Sequence, residues 1–215
     1  MASNVFGNPI TNATLEGMPE YQGKTITRKD RAHVALNMKN AQEKDRNARQ
    51  YVENLKARWG TGVSTLCVVY NSTGDALTFI TAHDWHGHIG PATYPVRIEN
   101  GQWGGFLHVK TSGAATGSSA AAVYRGKNDA GADCDWMLSW STPWDRNLYN
   151  NKAYTEVRDA HHYDEGNNRW GVVSDKLNDS DLYDTSKWKG CYSTVTIGSD
   201  TSPIFEGIMM LESDA

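Results

Sequence analysis

From Thr27 to Trp59 the apolar residues Val34, Met38, Ala41, Ala48, Val52, Leu55 and Trp59 recur at alternating spacings of four and three, the repeat of one helix face. Thr27 with Asp30 three residues later resembles a capping box, and Gly60 and Gly62 stop the pattern, so the spacing predicts a helical segment over 27–59. Asp45 interrupts the seam, which leaves open one helix or two with a break near Glu43 to Asn47. Residues 1–26 carry Asn, Gly, Pro and Thr without a period and read as an irregular arm lying on the surface.

Beyond Gly62 the signal is β. Val63–Tyr70 and Ala76–Ala82 flank the turn Asn71–Asp75 and read as a hairpin. Further strands are expected at Gln102–Lys110, Ala120–Arg125, Cys134–Ser141, Ala153–Arg158, Trp170–Val173, Trp188–Ile197 and Pro203–Leu211, with a helical turn within Asp175–Tyr183. His83 to Pro91 reads as a loop by its Gly and Pro content. In Cys134–Ser141, strict alternation puts Cys134, Trp136, Leu138 and Trp140 on one face, which must be core. Strands at this spacing, without helices alternating between them, predict a mainly β protein. The expected fold is an antiparallel β-sandwich over 63–212, preceded by an N-terminal helical segment packed on it, in one domain over 1–215.

Composition narrows the partners. With 39% hydrophobic and 21% charged residues and twenty glycines, the chain is that of a folded, turn-rich domain. A net charge of −4 without a basic cluster on one face argues against a nucleic-acid partner. No apolar run approaches the roughly 20 residues of a transmembrane segment. The first ten residues lack both a basic start and an apolar core, so a cytoplasmic location is expected. Cys67, Cys134 and Cys191, odd in number and far apart, fit reduced core thiols.

The strongest candidate for ligand binding follows the core strand. Pro143 ends strand pairing, Trp144 and Tyr149 offer flat faces, and Asp145 and Asn147 can hydrogen-bond hydroxyls. Ser141, Pro143, Trp144, Asp145, Asn147 and Tyr149 are therefore the expected ligand-binding residues, suited to a choline head or a sugar ring. The alternative is a metal-binding protein or metal-dependent enzyme using His83, Asp84, His86 and His88 with His108. No nucleophile elbow, phosphate loop, dinucleotide fingerprint or zincin helix is present, so no enzyme activity and no cofactor are expected. A homo-oligomer built through the aromatic surface is a further expectation.

Two family resemblances bear on these readings. Tyr70-Asn-Ser-Thr-Gly-Asp, Asp84-Trp-His-Gly-His, Asn100-Gly-Gln-Trp, Phe106-Leu-His-Val and Cys134-Asp-Trp make nearly the whole chain similar to the plant jasmonate-induced proteins of the small, 23 kDa class. That resemblance implies a plant defence or stress protein. Gly113-Ala-Ala-Thr-Gly-Ser, the strand to Arg125 and the stretch Trp140 to Asn151 are similar to the central segment of actinoporins, pore formers that bind sphingomyelin. That second likeness implies a sandwich with an amphipathic N-terminal helix, and a lipid-headgroup pocket at Ser141, Pro143 and Tyr149. The tyrosine-rich helical segment that follows in actinoporins has its counterpart here only in Tyr163 with His161 and His162. Fungal fruit-body lectins resemble the same sandwich and bind glycans, so the expected partner is a membrane lipid headgroup or a glycan.

Overall fold

The computed structural model describes residues 4–164 and 169–214. The N-terminal arm is more ordered than expected. It contains a short strand β1 (Val5–Phe6) and a one-turn helix α1 (Asn12–Glu16) before the longer helices α2 (Arg28–Asn37) and α3 (Lys44–Trp59). The Thr27–Asp30 capping box is formed at the start of α2, with the Thr27 N–H donating to Asp30 at 2.8 Å. The helical segment is broken between α2 and α3, slightly ahead of the Glu43–Asn47 expected from Asp45, where Gln42 and Glu43 take φ values of 59° and 55°. Two consecutive left-handed residues cannot continue an α-helix.

The remaining strands are β2 (Ser64–Ser72), β3 (Leu77–His86), β4 (His88–Ile89), β5 (Arg97–Ile98), β6 (Trp103–Val109), β7 (Ser118–Lys127), β8 (Asp133–Thr142), β9 (Lys152–Asp159), β10 (Tyr183–Trp188), β11 (Cys191–Ile197) and β12 (Ile204–Leu211). They form two sheets: one in the order β1-β6-β2-β12-β11-β10 with β4 also on β6, the other in the order β5-β3-β7-β8-β9. The sandwich expected from the sequence is thus present, with one amendment. β12 runs parallel to β2, so the larger sheet is mixed.

Three local readings are corrected. The turn Asn71–Asp75 does not close a hairpin, because β2 and β3 belong to different sheets. The turn crosses between the layers, tied down by the buried Asn71, whose amide donates to the Asp75 and Ile98 carbonyls at 2.7 and 2.8 Å. The histidine-rich stretch continues β3 as far as His86, since its glycines fall only at Gly87 and Gly90. Trp170–Val173 is helical, within α4 (Arg169–Asp179). Its buried Val173 and Leu177 are four residues apart, and Trp170 precedes Val173 by three, a helix period that a four-residue window reads as a strand.

The core between the sheets contains Cys134, Trp136, Leu138 and Trp140, as alternation required, packed with Val69, Phe106, Tyr124, Val195, Phe205 and Met209. All three cysteines are free and buried. On the outside of the larger sheet, α3 lays Ala48, Val52 and Leu55 over Leu66, Val68 and Leu107. Each such Val or Leu burial contributes roughly 1.5–3 kcal/mol. The Lys44 ammonium, lowered to about 8 by burial, donates to the Gly101 carbonyl at 2.8 Å, and Arg49 pairs with Glu206. The helix is docked on the sandwich, as expected. On the outside of the smaller sheet, α4 covers Ala121, Val123 and Met137 with Trp170 and Val173.

Candidate functional site

Where β8 runs out, a groove of about 350 Å³ opens on the outer face of the smaller sheet. Its floor is a cross-strand row. His86 lies opposite Ser119, Ser119 opposite Ser141, and Ser141 opposite Lys152, so one residue from each of β3, β7, β8 and β9 stands in register on the same face. Ser174 and Asn178, one helical turn apart on α4, form one wall. The opposite side is built from Ala115–Gly117 and Pro143–Asp145, with Trp85, Trp144 and Tyr149 supplying aromatic surface.

The geometry at the rim follows from local chemistry. Pro143 lacks an N–H and ends the ladder after Thr142. Gly117 lies so close to this exit that a Cβ there would fall 2.0 Å from the Thr142 carbonyl oxygen, so only glycine lets the two segments meet. The following loop is held by the Asn147 N–H donating to Asp145 Oδ1 at 3.0 Å and the Tyr149 N–H donating to the Asp145 carbonyl at 3.1 Å. Arg146 donates to the Ser199 carbonyl, and the Asn151 amide donates to the Gly198 and Asp200 carbonyls at 2.6 and 2.9 Å. Against this bracing, Trp144, Leu148 and Tyr149 remain 52, 72 and 63% exposed. A loop held this tightly presents large apolar side chains outward instead of folding them into the core.

Of the residues expected from the sequence, Ser141, Pro143, Trp144, Asp145 and Tyr149 come together in the groove. Asn147 does not line it, and its backbone instead closes the Asp145 turn. Outside that expected ligand-binding set, the groove also takes in Trp85, Thr116, Gly117, Ser119, Lys152, Ser174 and Asn178, together with His86, which the sequence suggested only as a metal ligand. Strand register would have found Ser119 and Lys152, since each pairs directly with Ser141 along the ladder.

The histidine set does not converge. Along β3, His83 faces outward and stacks on Trp170 at 4.9 Å, Asp84 turns to His108, and His86 reaches the groove. His88 Nδ1 lies 2.8 Å from the Ile89 carbonyl. Among the described residues no three His, Cys, Asp or Glu are placed together to hold a metal ion, and only Asp84 and His108 of the five candidates His83, Asp84, His86, His88 and His108 are hydrogen-bond neighbours. Alternation sends His83 and Asp84 to opposite faces, and a β-bulge between Asp84 and His86 then turns His86 outward, away from the Asp84–His108 pair.

His108 serves another purpose. Its Nε2 lies 3.1 Å from Asp84 Oδ1 and its Nδ1 2.8 Å from Ser118 Oγ. Ser118 Oγ is 2.8 Å from Thr65 Oγ1, which is 2.8 Å from Thr142 Oγ1. Burial holds the imidazole below its ordinary pKa despite the neighbouring Asp84. The order Asp–His–Ser is that of a hydrolytic triad, but Ser118 is completely buried between the sheets, where no substrate carbonyl reaches it. The relay ties the ends of β7 and β8, beside Gly117 and Pro143, to the opposite sheet.

A family model described as "Nakanori-like protein" matches residues 6–212. The chain is 43% identical over 209 residues to the 23 kDa jasmonate-induced protein of Hordeum vulgare, covering 97% of this chain and 98% of that one. This bears out the resemblance to the jasmonate-induced class. A jasmonate-induced protein homolog of Atriplex canescens is 35% identical over 80 residues, 37% of this chain and 42% of that one. Among solved structures, the lipid-binding protein Nakanori superposes with a TM-score of 0.84 at 31% identity, covering 96% of this chain and 99% of that one. No helix among the described residues is long and apolar enough to cross a membrane.

Proposed function

The chain belongs to the Nakanori-like family, and on that premise we propose that it is a non-enzymatic stress protein that docks on membranes by taking a lipid headgroup into the groove at Ser141, Pro143, Trp144 and Tyr149. The observation that carries this reading is the braced rim, on which Trp144, Leu148 and Tyr149 stand exposed beside a groove lined by hydroxyl, amide and aromatic side chains. Amphipathic aromatic side chains gain most at the boundary between water and lipid, where one edge stays wet and the ring is buried. The polar groups below can then meet the headgroup while the rim enters the interface. A similar fold in a protein described as lipid-binding supports the reading. In this proposal α3 stays docked, because its charged outer face would cost about 3 kcal/mol per charge at mid-bilayer.

Liposome sedimentation with the wild type and Trp144→Ala tests the proposal. Wild type should pellet with vesicles and Trp144→Ala should lose most of that binding. A folded wild type that pellets with no lipid composition would sink the proposal, and binding confined to a glycan array would replace it with a lectin reading. Calcein release then separates docking, which leaves vesicles sealed, from pore formation.

A further inference from the structure

The chemistry of the groove floor discriminates among headgroups, on the reading that the groove is a headgroup site. Its four residues His86, Ser119, Ser141 and Lys152 stand on adjacent strands, which are about 4.8 Å apart. The two ends of the row are therefore roughly 14 Å apart, with two hydroxyls between them. Across the groove Ser174 and Asn178 add a further hydroxyl and an amide. Each hydroxyl both donates and accepts, and an amide offers two donors and an acceptor, which is the complement of a ring bearing several hydroxyls.

The floor carries a cation, Lys152, and the opposite side of the groove a carboxylate, Asp145. Lys152 Nζ donates to the Ser180 carbonyl at 2.8 Å, just past the C-terminal end of α4, and makes no salt bridge among the described residues. A neutral carbonyl fixes the ammonium in place without cancelling its charge, and two of its three donors are left for a ligand. The groove's own carboxylate, Asp145, lies across from Lys152 in the loop after Pro143, where one of its oxygens accepts the Asn147 N–H. A quaternary ammonium makes no hydrogen bonds, leaves the hydroxyls of the floor without a ligand partner and is repelled by the fixed Lys152 cation. A phosphate bearing vicinal hydroxyls can meet Lys152 with the phosphate and the serine hydroxyls and the Asn178 amide with the ring.

We infer that the groove selects a phosphorylated polyol, the chemistry of an inositol phospholipid headgroup, with Lys152 on the phosphate and Ser119, Ser141, Ser174 and Asn178 on the ring hydroxyls. The exposed Trp144 and Tyr149 lie above, at the level of the lipid interface. A groove of about 350 Å³ falls within the range of small-molecule sites. The net charge of −4 opposes indiscriminate attraction to anionic membranes, so a preference among anionic lipids has to come from the groove.

The experiment measures sedimentation with phosphatidylcholine vesicles carrying equal fractions of either phosphatidylinositol or phosphatidylserine, which bear the same charge. Phosphatidylinositol vesicles should bind at least tenfold tighter than phosphatidylserine vesicles. Free inositol monophosphate should compete, which shows that the headgroup alone is recognised, and free phosphocholine should not. Lys152→Gln should lose roughly tenfold to hundredfold in affinity, the usual effect of removing a charge-assisted hydrogen bond, and Lys152→Arg should retain most of it. Thermal midpoints of both variants separate ligand contact from the capping of α4, because a purely structural lysine would lower the midpoint without changing lipid preference. Equal binding to the two anionic vesicles, stronger binding to pure phosphatidylcholine, or unchanged binding by Lys152→Gln would overturn the inference. Phosphatidylcholine binding that depends on Trp144 but shows no inositol preference would leave docking standing and remove this selectivity, whereas absence of all vesicle binding would remove both.

Discussion

The two faces of β8 carry the same alternating pattern and do different work. Inward, Trp136, Leu138 and Trp140 are completely buried, and Trp140 lies among Phe106, His108 and Phe205 at ring distances of 5.4–5.7 Å. Outward, each residue has a separate fate: Asp135 pairs with Arg125 at 2.7 Å, Met137 lies under α4, and Ser141 opens onto the groove. The inner face is defined by a shared apolar environment, so its pattern alone identifies it. The outer face depends on what covers it, which is decided by segments distant along the chain. If this contrast is real, inner substitutions should cost stability, and substitutions at the groove should cost binding.

The largest effect is expected for Trp140→Ala. Removing an aromatic side chain from a filled interior forfeits its transfer energy and leaves a cavity, at about 3–5 kcal/mol. Its indole N–H has no partner among the described residues, so the loss is one of packing. Urea unfolding would show the shift, and a cost below about 1 kcal/mol would mean that the inner face is not the rigid one. Next in size is Gly117→Ala, which joins the two regions. The added methyl collides with backbone at Thr142 and Pro143, so it cannot be absorbed by a rotamer change. It should cost about 1–3 kcal/mol as a strained overpacking and displace the rim, reducing vesicle binding as well. Unfolding and sedimentation on the same variant would show whether the two effects travel together.

A smaller effect concerns pH. Burial lowers the His108 pKa, so between its folded value and the ordinary value near 6.5 the unfolded chain binds a proton that the folded one does not. Its contribution is complete above about pH 6.5 and is lost as pH falls below that value. His83 and His162 are lowered in the same direction, so the comparison has to be with His108→Gln, whose stability should decline less steeply with acid than that of the wild type. Thermal midpoints between neutral and mildly acidic pH would show parallel lines if the imidazole were not held neutral.

The sequence made the inner layer legible because it is local. Period two marked Cys134 to Trp140, and the 3–4 seam marked Ala48, Val52 and Leu55, with each pattern fixed by one element against one core. What it hid was non-local. The partner sheet of β3, the parallel pairing of β12 with β2 and the placement of α4 over Met137 are set by crossovers that leave no period in the chain. Most of the groove was hidden for the same reason. Ser141 to Tyr149 form a contiguous stretch, whereas His86, Lys152 and the pair Ser174 and Asn178 arrive from three other elements, β3, β9 and α4. His86 is the instructive case. It lies between His83 and His88 in a stretch that reads as a metal loop, and the extended backbone of β3 with its bulge after Asp84 gives the three different surroundings.

The smallest expected effect is the most exacting for the contrast. Trp144 and Leu148 lie within a few residues of Trp140 along the chain, and on composition alone all three would be core. Yet they are 52 and 72% exposed on a loop whose shape is set by the Asp145 turn and the Asn151 and Arg146 contacts, none of which uses the Trp144 or Leu148 side chain. Trp144→Ala and Leu148→Ala should therefore change stability by no more than about 0.5 kcal/mol, the range of surface substitutions away from structural features. Differential scanning calorimetry of the lipid-free proteins would measure this. A loss near that of Trp140→Ala would mean that the rim folds back into the core in solution. The division between an inner face that specifies the fold and an outer face that meets the ligand would then fail at Pro143, where the structure draws it.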